Sequence, residues 1–173
     1  MQIILVGFMG VGKTTAGQLL ANTLNEPFID LDVEFTKVTN LTPGEFMRQF
    51  SEARFRDVEQ RILKMQLEQP QAIISSGGGV LTLATSQILI QRSNYYVIYL
   101  ASNFDINMAR LKGDSEQRPL MTELTDQGLH ELWQMRQTHY QEVADLTVNT
   151  NGLTPQEIVA KIISKIDEEQ MHG

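Results

Sequence analysis

The chain has no cysteine, which excludes a disulfide framework and any thiolate metal centre and suits a reducing, cytoplasmic setting. It also has no run of lysine or arginine. Its 14 basic residues are outnumbered by 21 acidic ones, giving a formal net charge of −7. A nucleic-acid or membrane-surface role calls for the opposite balance, so neither partner is expected. Any anion site must be built locally from a few arginines. No apolar stretch approaches a membrane span, because Lys13 interrupts the only candidate. The first strand pattern begins at residue 2, which leaves no room for a signal peptide. His130, His139 and His172 stand away from carboxylates at ligand spacing and are expected at the surface. Repeats, low-complexity tracts and linkers are absent, so residues 1–173 are expected to form a single domain.

What is present is concentrated near the start. Residues 7–15 read Gly-Phe-Met-Gly-Val-Gly-Lys-Thr-Thr, matching the phosphate-loop pattern G-x-x-x-x-G-K-[ST]. The apolar run Ile3–Val6 precedes it and a helical pattern follows, which is the context the motif requires. Glycines let backbone N–H groups turn toward phosphate oxygens, and the helix N-terminus adds its dipole. Lys13 would reach the β- and γ-phosphates and the Thr14 hydroxyl would hold Mg²⁺. The pattern predicts a nucleoside triphosphate site.

Apolar runs at Ile3–Val6, Phe28–Leu31, Ala72–Ser75, Tyr95–Leu100 and Leu146–Asn149 read as five strands. Helical patterns lie between them: one after the phosphate loop, others near 83–92, 103–112 and 126–143. Thr42-Pro43-Gly44-Glu45 and Thr154-Pro155-Gln156-Glu157 each combine an N-cap, an N1 proline and an N3 glutamate. A longer helix carries Phe55, Val58, Ile62 and Met65 as its inward stripe. Strands alternating with helices predict an α/β fold whose parallel sheet is covered on both faces. Two stretches break the alternation. Residues 33–69 place two helices between the second and third strands, as a binding insertion would. Residues 113–125 are polar and Gly-led, as a lid would be.

Several residues in this frame could carry chemistry. Asp30 and Asp32 flank Leu31 at the C-terminal end of the second strand, where open α/β sheets bind ligands. Two-residue spacing points both carboxylates to one side. One would serve near Mg²⁺ and the other would orient and deprotonate an attacking hydroxyl. The alternative is a solvated pair that caps the next helix. Arg56 and Glu59 are helical neighbours, read either as a surface ion pair or as a substrate arginine held rigid. Gly77-Gly78-Gly79 end the third strand, where three glycines favour close approach of a ligand. Arg136 lies among inward-facing residues with Trp133 and Tyr140, so it wants an anion, or it stacks on Trp133 or reaches out to water. Arg118 in the lid stretch is placed as an arginine finger supplied in cis.

The G-F-M-G-V-G-K-T-T loop, F-I-D-L-D, S-E-A-R-F-R-x-x-E, S-S-G-G-G-V, R-P-L-M and M-R-x-x-x-Y-x-x-V-A, in that order, resemble the shikimate kinase family over essentially the whole chain. The resemblance implies a three-layer P-loop kinase, nucleoside-monophosphate-kinase-like, with strand order 2-3-1-4-5, a shikimate-binding helical insertion (about 33–69) and a lid (about 113–125). It implies ATP-dependent phosphorylation of the shikimate 3-hydroxyl, on the route to chorismate and the aromatic amino acids, by a monomer. On this chain it assigns Gly10, Val11, Gly12, Lys13, Thr14 and Thr15 to the phosphates. Thr14 would ligate Mg²⁺, with Asp30 and Ser75 in its water shell. Asp32 would grip the shikimate hydroxyls and act as base. Arg56 and Arg136 would take the carboxylate, with Gly77, Gly78 and Gly79 beside them, and Arg118 would close over the phosphates together with Lys13. Arg110 and Pro155 would sandwich adenine.

Three positions depart from the family pattern: Ser51 in place of a glycine, Met47 in place of an aromatic, and a lid with Arg118 as its only strong cation beside R-P-L-M. These imply altered affinity with unaltered reaction. Two rival readings remain at this level: a gluconate kinase on the same fold, since gluconate also carries a carboxylate, and a non-catalytic nucleotide sensor.

Overall fold

The computed structural model describes residues 2–112 and 123–172. A five-stranded sheet runs in the order β2-β3-β1-β4-β5, and every pairing is parallel. The strands are β1 (Ile3–Val6), β2 (Phe28–Asp30), β3 (Ile73–Ser75), β4 (Tyr96–Ala101) and β5 (Leu146–Asn149). The helices are α1 (Lys13–Leu24), α2 (Leu31–Thr39), α3 (Pro43–Gln49), α4 (Glu52–Leu67), α5 (Ala84–Gln91), α6 (Phe104–Leu111), α7 (Asp126–Val143) and α8 (Pro155–His172), with a 3₁₀ turn at Val80–Thr82. No described helix is long and apolar enough to cross a membrane.

The β1 sequence Ile-Ile-Leu-Val is buried on both faces, as a central parallel strand must be. Its period of two divides the core. Ile4 and Val6 join Val97 and Tyr99 of β4 in one apolar cluster, with Leu31, Phe35, Phe55, Ile62, Leu63 and Tyr140 from the helices on that face. Ile3 and Leu5 join Ile98 and Leu100 in the other, under Ala16 and Leu20 of α1 and Ile158, Ile162 and Ile166 of α8. The two Thr-Pro-x-Glu sequences start α3 and α8 as their chemistry requires. In α3 the Glu45 carboxylate accepts from the Thr42 N–H at 2.8 Å while the Glu45 N–H donates to the Thr42 hydroxyl at 3.2 Å. Thr154 and Glu157 repeat the exchange at 2.7 and 3.2 Å.

Three features differ from the sequence reading. The insertion holds three helices, because a helix begins at Leu31, where a strand end was expected. The Asp30 carboxylate caps it, accepting from the N–H groups of Asp32 at 2.9 Å and Val33 at 3.4 Å. Asn40, in the left-handed conformation, closes it. On α4 the inward stripe takes Leu63, fully buried, while Met65 is 54% exposed. His130 and His139 are half-buried, not surface residues. His130 packs with Phe104 at 4.9 Å and Trp133 at 5.7 Å between ring centroids, and His139 has a buried Nδ1 without a hydrogen-bond partner.

Candidate active site

The phosphate loop leaves β1 where its neighbours β3 and β4 diverge, the switch point at which open parallel sheets bind ligands. Gly10 and Gly12 have φ of 78° and 97°, a region that side chains disfavour. At Gly12 an added Cβ would meet nothing within 4 Å, so the loop is open on the side where α1 begins. Lys13 is buried and arches over the loop, its Nζ donating to the carbonyls of Gly7 at 2.7 Å and Phe8 at 3.1 Å. Thr14 and Thr15, in the first turn of α1, are exposed. The Thr14 hydroxyl donates to Asp30 Oδ2 at 2.7 Å and lies 3.4 Å from the Ser75 hydroxyl. Asp30 therefore does two jobs: one carboxylate oxygen caps α2 and the other faces the phosphate loop. Hydroxyl, hydroxyl and a single carboxylate form a hard oxygen set that fits Mg²⁺, an ion that keeps several waters and shares the rest of its shell with phosphates.

The glycine triplet after β3 is where the remaining residues meet. A Cβ on Gly77 would lie 3.1 Å from Glu59 Oε1 and 3.2 Å from Asp32 Oδ1, so two carboxylates flank that backbone. Asp32 sits in the first turn of α2 and is exposed, and the same-side strand geometry expected for it gives way to this helical placement. Arg56 Nη1 donates to Glu59 Oε2 at 2.7 Å and to the Gly79 carbonyl at 3.0 Å. Its Cζ lies 4.9 Å from the centre of the Phe55 ring. With Arg56 7% and Glu59 9% exposed, this is a buried pair and not the surface contact that i,i+3 spacing alone allows. Burial pushes the Glu59 carboxyl above its usual range and the nearby Asp32 charge adds to the effect, while Arg56 opposes both.

Arg136 is 5% exposed, and its Cζ lies 5.8 Å from the centre of the Phe8 ring. Trp133 instead packs against Phe104 and His130, so the expected stacking alternative does not form. Burial lowers the Arg136 pKa, and the neighbouring Arg56 adds to that. The Nε atoms of Arg56 and Arg136 are both buried without a hydrogen-bond partner. Two desolvated guanidinium groups with spare donors have the chemistry that a carboxylate ligand calls for.

Two contributors had escaped the sequence reading as site residues. The Tyr140 hydroxyl donates to the Gly78 carbonyl, fixing the triplet from α7. Phe8 supplies an apolar wall from inside the phosphate loop. Tyr140 is one helical turn beyond Arg136, which is the signal that could have exposed it.

Arg110, expected beside adenine, reaches the phosphate loop. Its Nη1 donates to the Val11 carbonyl at 3.1 Å and lies 3.5 Å from that of Gly10. Pro155 is the first residue of α8. The loops entering α6 and α8 are joined by Asn151, which accepts from the Asn103 N–H at 3.0 Å and donates to its side chain at 3.1 Å. Arg118, and the lid residues 113–122, lie outside the described residues. Of the departures, Ser51 has a clear local role: it is the N-cap of α4, accepting from the Arg54 N–H at 3.2 Å. Met47 is half-buried and packs against the apolar cluster that includes Phe35, Phe46 and Phe55.

The phosphate loop and the buried arginine pair lie on either side of the Gly77–Gly79 backbone. Residues 9–167 match the family model described as shikimate kinase. The chain belongs to the shikimate kinase family. It is 35% identical to the shikimate kinase of Enterococcus faecalis over 167 residues, covering 96% of this chain and 98% of that protein. With the shikimate kinase of Limosilactobacillus fermentum it shares 37% over 172 residues, covering 98% and 99%. The solved shikimate kinase from Acinetobacter baumannii in complex with shikimate superposes with a TM-score of 0.91 at 30% identity, covering 97% of this chain and 93% of that one. Family and fold thus agree with the sheet order and with the phosphotransferase class expected from the motifs.

Proposed function

We propose that this enzyme transfers the γ-phosphoryl group of ATP to the 3-hydroxyl of shikimate, giving shikimate 3-phosphate and ADP, in aromatic amino acid biosynthesis. The observation that carries the acceptor assignment is the meeting of Arg56, Arg136 and Asp32 around Gly77–Gly79, with Asp32 in the first turn of the helix that Asp30 caps while it accepts from Thr14. Shikimate offers a carboxylate and ring hydroxyls, and this set complements both.

In this reading Arg56 and Arg136 bind the carboxylate, and Glu59 holds Arg56 in place. Asp32 orients the 3-hydroxyl and takes its proton as the oxygen attacks the γ-phosphorus and the bond to the β-phosphate oxygen breaks. The backbone of Gly10, Val11 and Gly12 and the hydroxyls of Thr14 and Thr15 hold the phosphates. Lys13 exchanges its carbonyl partners for phosphate oxygens and offsets their charge. Mg²⁺, held by Thr14 and through water by Asp30 and Ser75, would neutralise charge on the β- and γ-oxygens. Arg110 and Pro155 flank adenine, and the resemblance gives Arg118 a share of the transferring charge. Residues 1–173 act as one domain and as a monomer, in the cytoplasm where ATP is supplied.

The test is phosphorus NMR of the product formed from ATP and shikimate. A single phosphate ester coupled to the C3 proton is expected. An ester at another hydroxyl would overturn the placement of Asp32 as base.

A further inference from the structure

The phosphate loop is held from outside by α6, through contacts that the nucleotide-binding pattern does not specify. The carbonyl of Asn107 lies 3.1 Å from where a Cβ on Gly10 would stand, and the Leu111 side chain lies 2.9 Å from the same point. One turn on from Asn107, Arg110 donates to the Val11 carbonyl at 3.1 Å. The Val11 carbonyl belongs to the peptide that carries the Gly12 N–H, in the loop whose N–H groups must converge on phosphate, so fixing one side of that peptide orients the other. The helix is itself anchored. Asn107 has no exposed surface, and its side chain pairs with the buried Ser102 hydroxyl at the end of β4. The same strand end packs on the start of the loop, where a Cβ on Gly7 would lie 2.6 Å from the Leu100 carbonyl oxygen.

We propose that the Ser102–Asn107–Arg110 line is a brace for the phosphate loop, and that Arg110 is a positioning residue for triphosphate binding independently of any contact with the base. Arg110 is an exposed side chain whose guanidinium ends on a loop carbonyl. Losing that bond leaves the chain's core intact but frees the Val11–Gly12 peptide to rotate. The inference rests on the nucleotide half of the proposed function and is indifferent to the acceptor.

The discriminating probe is inorganic tripolyphosphate, which has the phosphates of ATP and no base. Its affinity and that of ATP are measured by calorimetry in the absence of shikimate for wild type, Arg110→Ala and Ser102→Ala. In Arg110→Ala tripolyphosphate is expected to weaken by about tenfold, as for a lost hydrogen bond from a charged donor, and ATP by at least that factor. The deficit is expected to persist at 0.5 M salt (about, as the upper arm of the titration), where simple charge attraction is screened. Ser102→Ala, which changes no charge, is expected to weaken both ligands in the same direction while shikimate affinity stays unchanged. Arg110→Ala losing ATP affinity alone would overturn the brace in favour of base stacking, and a tripolyphosphate deficit that vanishes in salt would overturn it in favour of charge. Failure of the wild-type protein to bind either ligand would instead overturn the nucleotide reading, and the brace with it.

Discussion

Adding one methyl group at Gly79 separates the acceptor site from the fold. Gly79 has φ −102° and ψ 11°, a conformation open to alanine, so the substitution carries no backbone strain. The new Cβ would stand 2.5 Å from Arg56 Nη1 and 2.8 Å from Cζ, whereas ordinary contact begins at 3.4 Å. The guanidinium must therefore retreat by about 1 Å, and misplacement of a positioning group on that scale costs about 10²-fold in rate. It cannot swing to solvent without leaving Glu59 at 2.7 Å and uncovering a buried carboxylate. Overpacking a buried site costs about 1–3 kcal/mol, which at this chain length lowers Tm by about 2–4 °C per kcal/mol. Steady-state kinetics on Gly79→Ala should show kcat/KM for shikimate falling about 10²-fold with KM for ATP nearly unchanged. Wild-type acceptor kinetics in a variant that folds normally would refute the reasoning, because Arg56 would then have neither the constraint nor the role given to it.

The other expectations use the same assays. Asp32→Asn keeps the size of the side chain and removes the base, so turnover should fall by about 10²–10⁴ with ATP binding intact; near-normal turnover would remove Asp32 from the mechanism. Arg136→Ala should raise KM for shikimate by about 10–100-fold, whereas lost stability with unchanged acceptor affinity would make the guanidinium structural. Glu59 has a raised folded-state pKa, so its contribution to stability is complete below the ordinary carboxylate value of 4.5 and is lost as pH rises through the raised value. Gln cannot ionise, so the Tm of Glu59→Gln relative to wild type should move in the variant's favour between pH 4 and pH 7 (about), and movement the other way would contradict the assignment.

How much of this was legible beforehand depended on whether the signal was local. The phosphate loop, the sheet order implied by family likeness and the two Thr-Pro-x-Glu helix starts are written in contiguous residues and are present in the structure. Asp30 was legible only in part. Sequence offers it a place near Mg²⁺ or a helix cap as alternatives, yet a carboxylate has two oxygens: one caps α2 and the other accepts from Thr14. Burial was the least legible property. The sequence leaves Arg56 and Glu59 open between a surface ion pair and a held substrate arginine, and their burial, with Gly79 approaching from 23 residues away, is not written in it. The half-buried His130 was hidden for the same reason, because its ring partner Phe104 belongs to another helix. Arg110 shows a further limit: family likeness points to the base, while the Val11 carbonyl that it meets carries no sequence signature.

The central claim is that a triphosphate site and a receptor for a rigid hydroxy acid act together. It is tested most directly by ADP release from purified enzyme with Mg²⁺-ATP, alone, with shikimate and with gluconate. The account predicts strong stimulation by shikimate and little by gluconate, whose flexible chain does not present its carboxylate and hydroxyl at fixed separation. Stimulation by gluconate alone, or by neither acid, would contradict it.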